Sequence, residues 1–289
     1  MTRALVRWLL GRLKHQTLLK IGLGIVAGFI LMTVICKGFG VTPYDPSKGF
    51  ANIPRLAQPS ARHWMGTDHL QRDFFSRIVA GGWAALVVAF SSITISLSLG
   101  SLIGWISGFI GGWLDRGLSL TMDAIYSFPS MILAIALVAV MQPGLVPMIV
   151  AIAVVYIPTY FRITRAEVLR VREQVFVEAA RAVGVPESRT LFRHIAPNTV
   201  NAIMAISSFN IADAILTVAA LSFLGFGLDP TLPDWGRDIR NGQKYLLSGS
   251  WWMITFPGLM ILTLSLGFGM VGEGVSDLLN PTRRRRKVV

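Results

Sequence analysis

EAARAVGVPESRTLFRHIAPN, residues 178–198, is a polar, Arg-rich segment between two apolar runs, each long enough to cross a bilayer. Glu178 to Val183 is a strong helix former because it holds Ala179, Ala180 and Ala182. Gly184 is placed to end that helix in a left-handed cap. Pro186 suits the first turn of a second helix, with Glu187 at its positive dipole end, and Pro197 is expected to stop it. Leu191, Phe192 and Ile195 share a narrow apolar face, Arg189 and Arg193 form a basic stripe, and Glu178 is spaced to pair with Arg181. The whole polar loop, 162–198, is long for a connector. Two readings fit: an amphipathic loop lying on the lipid surface, or a knob that inserts into a partner's groove.

The composition places this segment in a membrane protein. The chain is 53% hydrophobic and 15% charged, with mean hydropathy +0.59, whereas a soluble domain carries about 25% charge. A formal charge of +12 invites a nucleic-acid reading, but no basic–aromatic interleaving accompanies it. The single Cys36 excludes an intrachain disulfide and a Cys-based metal site. His15, His63, His69 and His194 are scattered, and no Ser/His/Asp set or carboxylate pair is spaced for catalysis. No phosphate-binding GxxxxGK[ST] loop occurs. The expectation is a conduit that binds no cofactor or metal, is not itself an enzyme and draws its energy from elsewhere.

Six spans are expected at 18–36, 84–110, 124–141, 144–161, 199–226 and 251–275, each near the ~20 residues that cross hydrocarbon. Gln142-Pro143 makes the third and fourth a tight hairpin. The chain divides into a basic cytoplasmic N-terminus (1–17), a first span, an outer loop (37–82), a transmembrane domain (83–275) and a basic cytoplasmic tail (276–289). With Arg3, Arg7, Arg12 and Lys14 inside, 18 of the 27 Lys and Arg face the cytoplasm, so both termini are expected there. Gly100, Gly104, Gly108 and Gly112 recur every fourth residue, a stripe that lets another helix backbone approach closely. Asp213 is the one acid deep in a span: it either faces a pathway, where it would meet a solute amine, or bonds between helices. Glu273 is placed at an interface, Trp251-Trp252 as an outer aromatic belt, and Arg283 to Arg286 against anionic inner-leaflet lipid.

Glu178-Ala179-Ala180, three residues, Gly184, nine residues and His194-Ile195-Ala196-Pro197-Asn198 resemble the EAA signature of bacterial ABC importer permeases. Ala196 replaces the usual Leu. Elsewhere His63, Gly66-Thr67-Asp68, Arg72-Asp73, Ser76-Arg77, Gly111-Gly112-Trp113, Asp115, Asp123, Phe128-Pro129, Leu221 to Gly227, Pro230 and Trp235-Gly236 resemble the dipeptide/oligopeptide/nickel class, and within it the second of two paired permeases. Departures are Trp64 and Gln71 for Pro and Gly, Trp83 and Ala85 for Arg and Ser, and Val218 where Glu is frequent. The resemblance implies an all-α, type I ABC importer permease fold in a bacterial inner membrane. It further implies a homologous second permease, two cytoplasmic ATPases that hold ATP and Mg, and an extracytoplasmic solute-binding protein. Coupling to the ATPases would use Glu178, Ala179, Ala180, Gly184, Arg189, Arg193, His194, Ile195 and Pro197. Two rivals are an ion-gradient-driven secondary transporter, which normally shows inverted repeats and several buried ionisable groups, and a structural membrane subunit that transports nothing.

Overall fold

The computed structural model describes residues 17–40 and 42–279. The basic groups Arg3, Arg7, Arg12, Lys14 and Arg283 to Lys287, together with His15, lie outside the described residues. The described chain is helical, with one isolated bridge between Thr67 and Asp73. Five helices are long and apolar enough to cross a membrane: α1 (Thr17–Phe39), α2 (Phe74–Ile110), α5 (Leu145–Arg172), α8 (Ala196–Leu224) with the turns preceding it, and α10 (Trp252–Leu279). Packing centres on α2 against α5, and α10 joins α8 and α1 to that pair.

The expected third span is broken. α3 (Gly112–Tyr126) and α4 (Ser130–Met141) meet at 88°. Pro129 is the cause, since it disfavours helix at Phe128 and stands as the residue before α4. At 12 residues, α4 rises only ~18 Å, less than the ~30 Å hydrocarbon thickness. A straight span at 124–141 is therefore corrected to a bent pair. The expected boundary at 82/83 is also corrected, because it falls inside α2, which is continuous from Phe74.

One end of the bundle is closed by a cap made of residues 42–73 and α9 (Trp235–Gln243). Asp73 caps α2 by accepting from the backbone N–H and hydroxyl of Ser76 at 2.9 and 2.7 Å, and His63 Nδ1 lies 2.9 Å from its other oxygen. Arg72 donates to Asp68 at 2.6 Å. Arg77, 0% exposed, donates to Asp238 of α9 at 2.8 Å and to the Pro46 carbonyl at 2.9 Å. Burial pushes the Asp238 carboxyl up, against the opposing pull of Arg77. The outer-loop signature is thus a set of buried polar pairs that fasten loop to bundle. Trp252, read as part of an aromatic belt, is corrected: it is 1% exposed and its indole donates to the Thr67 carbonyl at 3.1 Å. Trp251 is the exposed partner.

Removing one member of a buried ion pair strands the other, at a cost of about 3–5 kcal/mol. Arg77→Ala is therefore expected to lower the thermal unfolding midpoint of the detergent-solubilised protein markedly, and Arg72→Ala, at the cap's more local pair, by less. Differential scanning fluorimetry of both variants checks the order.

Candidate functional site

At the opposite end of the bundle the chain leaves α5 and enters α6 (Val175–Ala182). Gly184, at φ +77°, turns it. The Gly184 N–H donates to the Arg181 carbonyl at 2.9 Å and the Val185 N–H to the Ala180 carbonyl at 3.0 Å. These two bonds form the paired C-terminal cap that a left-handed glycine makes possible. Pro186 then precedes α7 (Glu187–Arg189), which runs directly into a π-helical segment, Thr190–Ile195, and on into α8. The expectation that Pro197 stops the helix is corrected: Pro197 stands in the first turn of α8. The wider π turn, in which the Ala196 N–H bonds the Leu191 carbonyl, absorbs the missing proline N–H and ring clash. Asn198 Nδ2 donates to the His194 carbonyl at 2.6 Å. The result is one helical rod, Glu187–Leu224, of 38 residues.

Val177, Leu191 and Ile195 are buried with Val168 and Val171 of α5, against Trp105 and Phe109 of α2. This small core fixes the knob to the bundle. Ala180 is buried too, His194 is half-buried, and Glu178, Ala179, Gly184, Arg189, Arg193 and Pro197 are exposed. Two details of the expected knob are corrected. Arg181 pairs with Glu187 at 3.5 Å and lies over the Phe109 ring, so it is not the partner of Glu178. Phe192 leaves the apolar face shared by Leu191 and Ile195 and is 51% exposed. Pattern reading missed an exposed apolar set around the turn, Val175 at 80% and Val183 at 81% with Phe176 and Phe192. Apolar residues that break the local helical period are the signal for it.

Gly100, Gly104 and Gly108 lie directly on α5: a Cβ at each would come within 2.7, 2.8 and 3.0 Å of the Ile157, Phe161 and Arg165 carbonyls. Gly112 is corrected out of this stripe. It is at φ +65°, begins α3, and has open space around it. Charged groups brace the same end of the bundle. Arg165 donates to both oxygens of Asp115, at 2.5 and 2.7 Å. Arg162 donates to Asp123 at 2.9 Å and lies over Tyr126. Arg172 donates to the Gly108 carbonyl at 3.0 Å. Trp105 donates to Thr199 at 2.9 Å, tying α2 to the start of α8.

Asp213 bonds between helices, as one of its two expected readings has it. Its carboxylate accepts from the Tyr156 hydroxyl of α5 at 2.5 Å, yet the residue is exposed on the flank of the chain. The departures at Ala85 and Val218 lie elsewhere: both are buried and line one small cavity with Ile215 and Ile261. The missing acid at 218 is therefore a change inside the core between α2 and α8, away from the flank that carries Asp213. Among the described residues no group of His, Cys, Asp and Glu is arranged to hold a metal.

Residues 100–285 match the family described as "binding-protein-dependent transport system inner membrane component". The chain is 38% identical over 273 residues to the dipeptide transport system permease protein of Alkalihalophilus pseudofirmus, which covers 93% of this chain and 88% of that protein. It is 34% identical over 261 residues to the glutathione transport system permease protein of Pectobacterium atrosepticum, which covers 89% and 86%. An inward-facing MetNI methionine ABC transporter shares the fold at TM-score 0.59 and 17% identity, over 71% of this chain and 96% of that one.

Truncating a buried Ile to Ala costs about 2–5 kcal/mol. Ile195→Ala is expected to loosen the knob without unfolding the spans. Hydrogen exchange should then accelerate through 175–186 and stay unchanged in α2 around Val88.

Proposed function

This chain belongs to the family of binding-protein-dependent transport system inner membrane components, and from that premise we propose that it is the second of two paired permeases in an ATP-driven importer of short peptides. It is a multi-pass bacterial inner-membrane protein. We place the knob end in the cytoplasm and the cap end outside, in keeping with the Arg-rich knob loop and the positive-inside rule. Two cytoplasmic ATPases, which bind ATP and Mg, grip this knob and its counterpart on the second permease. An external binding protein delivers the solute at the cap. The sequence holds no GxxxxGK[ST] loop, and the chain acts as a conduit.

The observation that supports this reading is the continuity of Glu187–Leu224. A displacement applied at Arg189 or Arg193 cannot be absorbed in a loop, because helix connects those residues to the membrane span without a break. Gly184 and the small core around Ile195 keep the knob's shape while it is gripped. Exposed Val175, Phe176, Val183 and Phe192 supply apolar area that an ATPase groove would bury. Short peptides are favoured as solutes because the relatives named for dipeptide and glutathione transport match nearly the whole chain. Nickel chelates belong to the same resemblance but to neither of those relatives.

Gly184→Val forces a β-branched residue into left-handed backbone. In proteoliposomes holding the complete complex, ATP-dependent uptake of dialanine is expected to fall at least ~10-fold, a loss of ~1.4 kcal/mol in coupling, while basal ATP hydrolysis persists. Full uptake by this variant would refute the coupling role.

A further inference from the structure

An acidic side chain within an apolar span is costly unless it meets polar partners, by about 2.5–3.5 kcal/mol at a helix centre on insertion scales. Asp213 lies within such a span: it stands 11 residues before the end of α8 at Leu224, about 17 Å along the axis. It shares a flank of the rod with Phe209 and Leu216, 41% and 47% exposed in this chain. On the importer reading that flank meets the pathway or the second permease.

The hydrogen bonds around Asp213 determine what it would accept. Tyr156 spends its only hydroxyl proton on Asp213 Oδ2. Thr217 spends its own on the Asp213 backbone carbonyl, at 3.0 Å. The Thr217 side chain also approaches the Tyr156 hydroxyl. Among the described residues, Asp213 Oδ1 has no partner. The carboxylate is therefore held by Tyr156 with one oxygen left open, beside the Thr217 hydroxyl. A primary ammonium has three N–H donors and a positive charge, and complements that carboxylate.

We propose that Asp213, Tyr156 and Thr217 form a pathway site for the primary ammonium group of the solute, with Tyr156 as the positioning residue that holds the Asp213 carboxylate. The site rests on the importer reading above, and it makes a free amino terminus the feature that the membrane pathway itself recognises. Tyr156 sits on α5, the helix braced to α3 and to the glycine face of α2, while Asp213 and Thr217 sit on the rod. The site therefore spans two elements, and a shift of the rod against α5 would separate the hydroxyl from the carboxylate and release the ligand.

The test uses the complete transporter in proteoliposomes, with dialanine and N-acetyl-dialanine as paired probes. Asp213→Asn is expected to lower the ratio of dialanine to N-acetyl-dialanine uptake at least ~10-fold, and to be partly rescued by Asp213→Glu. Tyr156→Phe should lower dialanine uptake less and raise its apparent KM more than it lowers kcat. Equal loss for both probes, or no loss for either, overturns the site. A second measurement does not depend on the transported solute: in the purified wild-type complex, n-butylammonium should slow carbodiimide labelling of Asp213, read by mass spectrometry. If the wild-type complex moves neither peptide, the peptide reading fails while protection by butylammonium still upholds the site. Labelling that is the same with and without butylammonium overturns it.

Discussion

A membrane helix must satisfy its backbone internally, and that constraint is met at an awkward place here. Pro197 lies where the helix from the knob runs into the apolar span, and an α-helix cannot pass a proline without losing a bond and clashing one turn back. The chain passes it by widening into a π turn over Thr190–Ile195, with Asn198 covering the His194 carbonyl. If the helix broke there, the knob would be a loop tethered to a span. Because it does not, the knob and the span are one object, and the proposed coupling depends on that continuity.

A rod transmits force only if something holds its fulcrum. The α2–α5 pair supplies it through three glycine contacts that bring the backbones together without side chains between them. The same end of the pair is stiffened by the Arg165–Asp115 fork and by Arg172 on Gly108. The small core around Val168, Leu191 and Ile195 seats the knob on this fulcrum. At the far end, Arg77–Asp238 and Trp252–Thr67 bind the cap to α9 and α10. Those buried polar contacts also account for the sequence signature in the outer loop, since each signature side chain there has a fixed partner.

Five of the six expected spans, the short helices of the polar loop and the Gly184 turn were legible because each rests on a local rule: apolar length, Ala-rich helix, or a glycine shortly before Pro. The exceptions share a cause, which is that a tertiary partner decided the outcome. Pro197 reads as a stop until the π turn supplies another register. Trp252 reads as an interfacial aromatic until its indole meets the Thr67 carbonyl from 185 residues away. Gly112 continues a perfect four-residue spacing but falls just past the end of α2, where Gly111 ends the helix. The bend at Phe128-Pro129 was written in the sequence as a proline after a bulky residue, but apolar character on both sides hid it. Tyr156 gave no signal, being one aromatic in an apolar span, and only its placement opposite Asp213 gives it a role.

The rigidity of Glu187–Leu224 is the central claim, and it can be measured as a distance. Replacing the lone Cys36 leaves a background in which spin labels can be placed at Ser188 and Leu224, ends of the rod that lie about 54 Å apart along a helix. Pulsed electron–electron double resonance on the full complex, with and without trapped ATP, should find this distance unchanged within about 2 Å, while a distance from Ser188 to a label on the second permease's knob shifts. A change between Ser188 and Leu224 in a complex that still couples ATP to uptake would mean that the helix flexes at the π turn. The knob would then act on the pathway by some route other than the rod.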